Sequence, residues 1–264
     1  MTRAWTDRAA LVTGAASGIG RATALRFASG GAAVAVSDRD AAGAGAVAAG
    51  IVAGGGRALG LGLDVTDEAA WARAVEAVVE AFGALDILAH CAGVAEAAPV
   101  EAMSLEAWRR VTAVNLDGAF LAVKHGVLAM RRHPDRAARG GSIVLVASAS
   151  GLKAAPGASA YAASKAGVLM LARSAALECA RAKDGIRVNA VAPAGVRTRM
   201  WSSMPFFQAR VEEVGEAAAW AELEATQPLG RFAEPGEVAG AIAHLCASPT
   251  ATGSVLVLDG GYTA

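Results

Sequence analysis

The chain has 264 residues, 55% of them apolar, and 24 basic side chains balance 24 acidic ones. That length and apolar fraction suit one α/β domain with a sizeable core, and the zero net charge argues against nucleic acid or an anionic membrane surface as a partner. Cys91, Cys179 and Cys246 are scattered without a C-x-x-C, and His90, His125, His133 and His244 show no ligand spacing, so neither a disulfide framework nor a metal site is expected.

The charged N-terminus runs straight into Ala9-Ala-Leu-Val12, a strand pattern, with no signal-peptide core between them. A soluble, cytoplasmic chain is the expectation. Next comes Thr13-Gly14-Ala-Ala-Ser17-Gly18-Ile19-Gly20 and a helical pattern over Arg21 to Ser29. Strand, glycine loop and helix together are the context in which a backbone approaches a pyrophosphate, with the helix N-terminus offering free N–H groups. The strand Ala32 to Val36 ends at Ser37-Asp38. Asp38 stands 18 residues past Gly20, where an acidic side chain meets ribose hydroxyls. A carboxylate there repels a 2′-phosphate and favours NAD. Arg39 beside it is the feature that would favour NADP.

Ala41 to Gly56 is uncharged, rich in Ala and Gly, and reads as a helix. A third strand covers Ala58 to Leu63 and closes at Asp64-Val65; Thr66 or Asp67 then caps a helix whose core face carries Trp71, Val75, Val78, Val79 and Phe82. Leu85 to His90 is a fourth strand. Ser104 caps a long helix through Asn115 and Lys124, and the basic run Arg131 to Arg136 reads as a solvated loop. The fifth strand, Gly141 to Val146, delivers Ser148 at its carboxyl end, where ligands sit in an open parallel sheet. Tyr161 and Lys165, four apart, share a face of the following helix, which runs to about Lys183. A sixth strand spans Ile186 to Val191. Glu212 to Thr226 reads as helix, Pro235 to Ala247 as another, and Ser254 to Leu258 as the last strand. The uncharged stretch from Val238 to Leu258 contains Pro249 and a turn-like segment, which makes it helix, turn and strand instead of a membrane span. Alternating strands and helices with no composition break give a single-domain, Rossmann-type, doubly wound parallel sheet of about seven strands flanked by helices, over residues 1–264.

These residues resemble the classical short-chain dehydrogenases/reductases. Thr13-Gly14-x-x-x-Gly18-x-Gly20, Asp64-Val65, Asn115, Ser148, Tyr161-x-x-x-Lys165, Pro193 with Thr198, and Pro228-Leu-Gly-Arg-Phe match in order and spacing from Thr13 to Gly261. The resemblance implies an oxidoreductase that interconverts a secondary alcohol and its ketone by hydride transfer with NAD(H). An NADP-dependent carbonyl reductase is the runner-up, and a non-catalytic dinucleotide sensor or scaffold the alternative of another class. It implies Tyr161 as general acid/base, Lys165 lowering the tyrosine pKa and binding the nicotinamide ribose, Ser148 bonding the reacting oxygen, and Asn115 holding a relay water. Cofactor contacts are implied for Gly14, Ser17, Gly18, Ile19, Gly20, Asp38, Asp64, Val65, Ala92, Gly93, Tyr161, Lys165, Pro193, Val196 and Thr198. No metal is implied. A mobile substrate lid is expected at about 199–226. Ser148, Leu152, Tyr161, Trp201, Met204 and Phe207 are the candidate substrate contacts, although the apolar cluster reads equally as lid packing. A homotetramer is expected, with no nucleic-acid or membrane partner. Two departures stand out. His90-Cys91-Ala92-Gly93 replaces the family's Asn-Asn-Ala-Gly, and Ala194-Gly195 follows Pro193 where glycine is expected first.

Overall fold

The computed structural model describes residues 5–135 and 139–264. Seven strands form one sheet in the order β3-β2-β1-β4-β5-β6-β7: β1 Ala9–Thr13, β2 Ala33–Asp38, β3 Arg57–Gly62, β4 Ile87–His90, β5 Gly141–Val146, β6 Ile186–Pro193 and β7 Val255–Leu258. Every neighbouring pair is parallel. The strand order reverses beside β1, which pairs with β2 on one side and β4 on the other. A crevice therefore opens at the carboxyl ends of β1 and β4.

Alternation along each strand sends side chains to two cores. Leu11, Leu88, Ile143, Leu145 and Val188 face one, under helices α3 (Glu68–Phe82), α5 (Gly118–Arg132) and α6 (Ser159–Ala182). Ala10, Val12, Val34, Val144 and Val191 face the other, with α1 (Gly18–Ser29), α2 (Ala41–Ala53) and a C-terminal helix, Pro235–Ala247. The small residues of α2 have a packing reason. A Cβ on Gly60 would lie 2.7 Å from the Gly45 Cα, so helix and strand touch backbone to backbone. Asp67 is the residue that caps α3, accepting from Ala69 and Ala70 N–H at 2.8 and 3.1 Å.

Three expectations are corrected. The long helix capped by Ser104 is α4 (Leu105–Thr112) joined to α5 through a π-helical turn, Ala113–Asp117, which contains Asn115. A π turn carries one extra residue per turn and widens the ladder, often at functional positions. Glu212 to Thr226 is broken at Gly215, whose φ of 84° and ψ of 157° suit only glycine. The basic run does not begin as a loop: Arg131 and Arg132 close α5, and Arg131 pairs with buried Asp184 at 2.7 Å, whereas Arg136 lies outside the described residues. Among the described residues no helix is long and apolar enough to cross a membrane.

At the end of the sheet opposite the crevice, Asp86 is 2% exposed. It accepts the Ala9 N–H at 2.8 Å and bonds Arg8 and Arg139, tying β1 and β4 together below the site. Removing a buried partner leaves the opposing charges and the N–H unsatisfied. Asp86→Ala is expected to cost about 3 kcal/mol in urea unfolding, with no change in fold by circular dichroism.

Candidate active site

Thr13 ends β1 and organises the crevice. Its hydroxyl oxygen accepts the Cys91 and Ala92 N–H groups at 3.2 and 3.3 Å and lies 3.0 Å from His90 Nδ1. With both lone pairs taken, the hydroxyl proton goes to His90 Nδ1. The imidazole is therefore the Nε2–H tautomer, and that buried N–H has no partner. Burial, followed by the positive charge of Lys165, holds His90 down at about 3. The turn that lost its usual amide is thus braced by Thr13 and an imidazole, and from behind by Asn115.

The glycine loop fits against this turn. Gly14 has φ 63°, and a Cβ there would stand 2.8 Å from Ala92 backbone atoms. A Cβ on Gly20 would lie 2.2 Å from the Gly14 carbonyl oxygen. Gly14 and Gly20 thus pack against backbone, and Ser17, the N-cap of α1, makes no side-chain cap bond. The α1 N–H groups are thereby left for a ligand. Beside the loop runs a cleft of about 1230 Å³ lined by Gly14, Ser17, Gly18, Ile19, Gly20, Asp38, Asp64, Val65, Ala92, Gly93 and Thr198. Asp38 is held by Ala16 and Asp40 N–H groups, each at 3.1 Å. The hydrogen bonds of Thr66 keep the Asp64 carboxyl below its ordinary value. A glycine cradle, an open helix terminus and an oriented carboxylate at the β2 end fit a dinucleotide.

Pro193 and Val196 do not line that cleft. Pro193 ends buried β6, and Val196, 4% exposed, pairs with Ala233 as a β-bridge. The displaced glycine is explained here, because a Cβ on Gly195 would strike the Phe232 ring at 2.4 Å.

Ser148, Tyr161, Lys165 and Asn115 gather just behind the Gly93–Val94 wall. A Cβ on Gly93 would sit 3.3 Å from Asn115 Oδ1 and 3.4 Å from Lys165 Nζ. Ser148, 5% exposed, accepts from Ser150 N–H at 3.1 Å and donates to the Pro193 carbonyl at 3.3 Å. Lys165 donates to the Val146 carbonyl at 2.8 Å, with Nζ 5.7 Å from the centre of the Tyr161 ring. Burial lowers the Lys165 ammonium to about 8. The expected lowering of Tyr161 by Lys165 is not what dominates. Burial raises the phenol, and a hydrogen bond with Ser148 opposes the rise. Asn115 is held in place: its Oδ1 accepts the Val94 N–H at 2.8 Å, and its Nδ2 donates to the Val94 carbonyl at 2.9 Å and to Ser164 Oγ at 3.0 Å.

The segment 199–226 forms α7 (Arg199–Ser202), α8 (Pro205–Val214) and α9 (Glu216–Ala225). Phe207 packs on Trp220 at 4.6 Å and Trp201 on Phe232 at 5.1 Å, which places Phe207 and Trp201 in a small aromatic core and not on the cleft. Met204 does line the cleft, with Phe206, Met200 and Val94. Leu152 is 46% exposed and outside it. Large apolar type alone cannot separate a cleft wall from its packing, and the i to i+1 switch from Phe206 to Phe207 carries no signal in sequence. Cys91 and the Glu96–Arg110 pair also line the cleft; burial pushes the Cys91 thiol up to about 12. Among the described residues no cluster fits a metal ion.

A cleft that fits a dinucleotide at the carboxyl ends of a doubly wound parallel sheet, with Ser148, Tyr161, Lys165 and Asn115 behind its wall, is the arrangement that the comparisons with known proteins then place in a family. A family model described as enoyl-(acyl carrier protein) reductase matches residues 14–263. Cis-4-hydroxycyclohexanecarboxylate dehydrogenase of Sinomonas cyclohexanicum is 44% identical over the whole of both chains. Cyclohexanol dehydrogenase of Acinetobacter sp. (strain SE19) is 38% identical, over all of this chain and 98% of its own. The crystal structure of levodione reductase superposes with a TM-score of 0.88 at 32% identity, covering 98% of each chain. The chain belongs to the classical short-chain dehydrogenase/reductase family, and its reaction is alcohol–ketone oxidoreduction.

His90 provides a pH test. The unfolded imidazole takes a proton near 6.5, whereas the folded one resists until about 3. The unfolded state therefore binds the extra proton in that window, and stability present above pH 6.5 is lost as the pH falls. In urea unfolding, the drop in stability between pH 7 and pH 4.5 is expected to be about 2–3 kcal/mol smaller for His90→Asn than for the native chain. Equal drops would show that His90 is not buried neutral.

Proposed function

We propose that this chain is an NAD-dependent dehydrogenase of alicyclic secondary alcohols, with Tyr161 as general acid/base. The observation that carries the reading is the meeting of Ser148, Tyr161, Lys165 and Asn115 beside the glycine-cradled cleft. A nicotinamide dinucleotide bound in that cleft supplies the hydride acceptor or donor. Ser148, held from both sides by Ser150 and Pro193, is oriented to hydrogen-bond the reacting oxygen and stabilise charge developing there. Burial keeps Tyr161 protonated, the form that donates to a ketone oxygen. In the oxidative direction it accepts the alcohol proton, and the cation of Lys165, one turn along α6, favours the phenolate. Lys165 titrates at about 8, close enough to neutrality to pass a proton on. The Asn115 side chain, bonded to Val94 and Ser164, fixes the Gly93–Val94 wall next to Lys165 and holds the helix that carries Tyr161 and Lys165 against it.

NAD is preferred to NADP because Asp38, aimed by two backbone N–H groups, puts a negative charge where a 2′-phosphate would lie. The apolar lining from Val94, Met200, Met204 and Phe206 suits a saturated ring, as does the ring alcohol named for each of the two relatives. Residues 199–226 act as the substrate lid, with the Gly215 break as a hinge. Phe120, Leu128, Met170 and Leu177, exposed on α5 and α6, form the faces that pair in a homotetramer. Three free cysteines agree with a cytoplasmic enzyme.

Tyr161→Phe is expected to lower kcat for cyclohexanol oxidation by about 10²-fold or more while NADH still binds in a fluorescence titration. Substantial residual turnover overturns the role of Tyr161. The native enzyme is expected to show kcat/KM at least about tenfold higher with NAD than with NADP. The reverse preference would assign the 2′-phosphate to Arg39.

A further inference from the structure

The arginines around the 199–226 segment are, with one exception, matched to acids. Arg110 pairs with Glu96, Arg197 with Glu224, Arg210 with Glu213 and Glu222, and Arg231 with Glu237. Arg199 has no ion-pair or hydrogen-bond partner for its side chain among the described residues, yet it lines the cleft. It follows Thr198, whose methyl lies 3.3 Å from where a Gly18 Cβ would be, so this start of the segment rests on the glycine loop. The glycine loop, Gly14 to Gly20, has no cation of its own. Arg199 thus lines the same cleft as the glycine loop at the uncapped start of α1 and as Met204 and Phe206 of the apolar wall.

We propose that Arg199 is the anion-recognition residue of this cleft, giving its guanidinium fork to an oxyanion carried in by a bound ligand. Two ligands of the proposed reaction can supply that chemistry: the pyrophosphate of the dinucleotide, or a carboxylate on an alicyclic hydroxy acid. A planar fork matches either group with paired charge-assisted hydrogen bonds. An arginine left unmatched among matched neighbours is a counter-charge in waiting, whereas Arg197, two residues earlier, has Glu224 and stacks over Trp220 with its guanidinium carbon 4.9 Å from the ring centre. The proposal rests on the dehydrogenase reading above and adds the recognition of charge to it.

The test compares the native enzyme with Arg199→Gln and Arg199→Lys, each checked for an unchanged Tm. NADH affinity is measured by fluorescence at low and high salt, and KM is measured for cyclohexanol and for 4-hydroxycyclohexanecarboxylate at saturating cofactor. Loss of a charge-assisted pair corresponds to about a tenfold effect. If Arg199→Gln weakens NADH about tenfold and flattens its salt dependence, the anion is the pyrophosphate. If instead the ratio of hydroxy-acid KM to cyclohexanol KM rises about tenfold, the anion is the substrate carboxylate. In either case Arg199→Lys is expected to recover part of the loss. NADH affinity and the KM ratio both unchanged in Arg199→Gln overturns the proposal. Should the native enzyme oxidise neither alcohol, the dehydrogenase reading fails separately, and the NADH titration alone then decides whether Arg199 meets an anion.

Discussion

One hydroxyl group holds the working end of this enzyme together. Thr13 Oγ1 accepts two N–H groups from the turn after β4 and gives its proton to His90, so the carboxyl ends of β1 and β4 are joined by three short polar contacts in the crevice. The glycine loop can approach that turn only because Gly14 has no Cβ to strike Ala92. Behind the turn, Asn115 pins Val94 and reaches Ser164 on the helix that carries Tyr161 and Lys165. The turn after β4 is therefore fixed on one side by Thr13 and on the other by Asn115.

The electrostatics follow from burial. Lys165 and His90 lie close enough for the cation to act on the imidazole, and both are driven toward their neutral forms. Neutral His90 can accept the Thr13 proton, whereas Lys165, lowered only to about 8, keeps most of its charge at neutral pH. Tyr161 is shifted the other way, toward keeping its proton, because the same desolvation disfavours a phenolate.

The 199–226 segment shows how little residue type says about direction. Its aromatic residues divide between two jobs. Phe207 and Trp220 build, with Phe232 from beyond the segment, a core that keeps the segment coherent, whereas Phe206 turns to the cleft beside Met204. Gly195 and Phe232 connect this core to the end of β6, which accounts for the shifted glycine after Pro193.

Strand and helix order, the glycine cradle, Asp38 at the end of β2 and the Tyr161–Lys165 pair were all legible in the sequence. They depend on local spacing, and a period of two or of 3.6 residues is written into the chain itself. The glycine-loop and strand-end positions, Gly14 through Asp64, lie on the cleft because the ends of parallel strands leave them no other place. What spacing could not express was decided by packing between distant segments. The π turn at Asn115, the engagement of its side chain, the burial of Val196, the inward turn of Trp201 and Phe207, and the tautomer of His90 all depend on partners up to 77 residues away in sequence. Local pattern determines which atoms a residue offers, and only the tertiary fold decides which of those atoms are already taken.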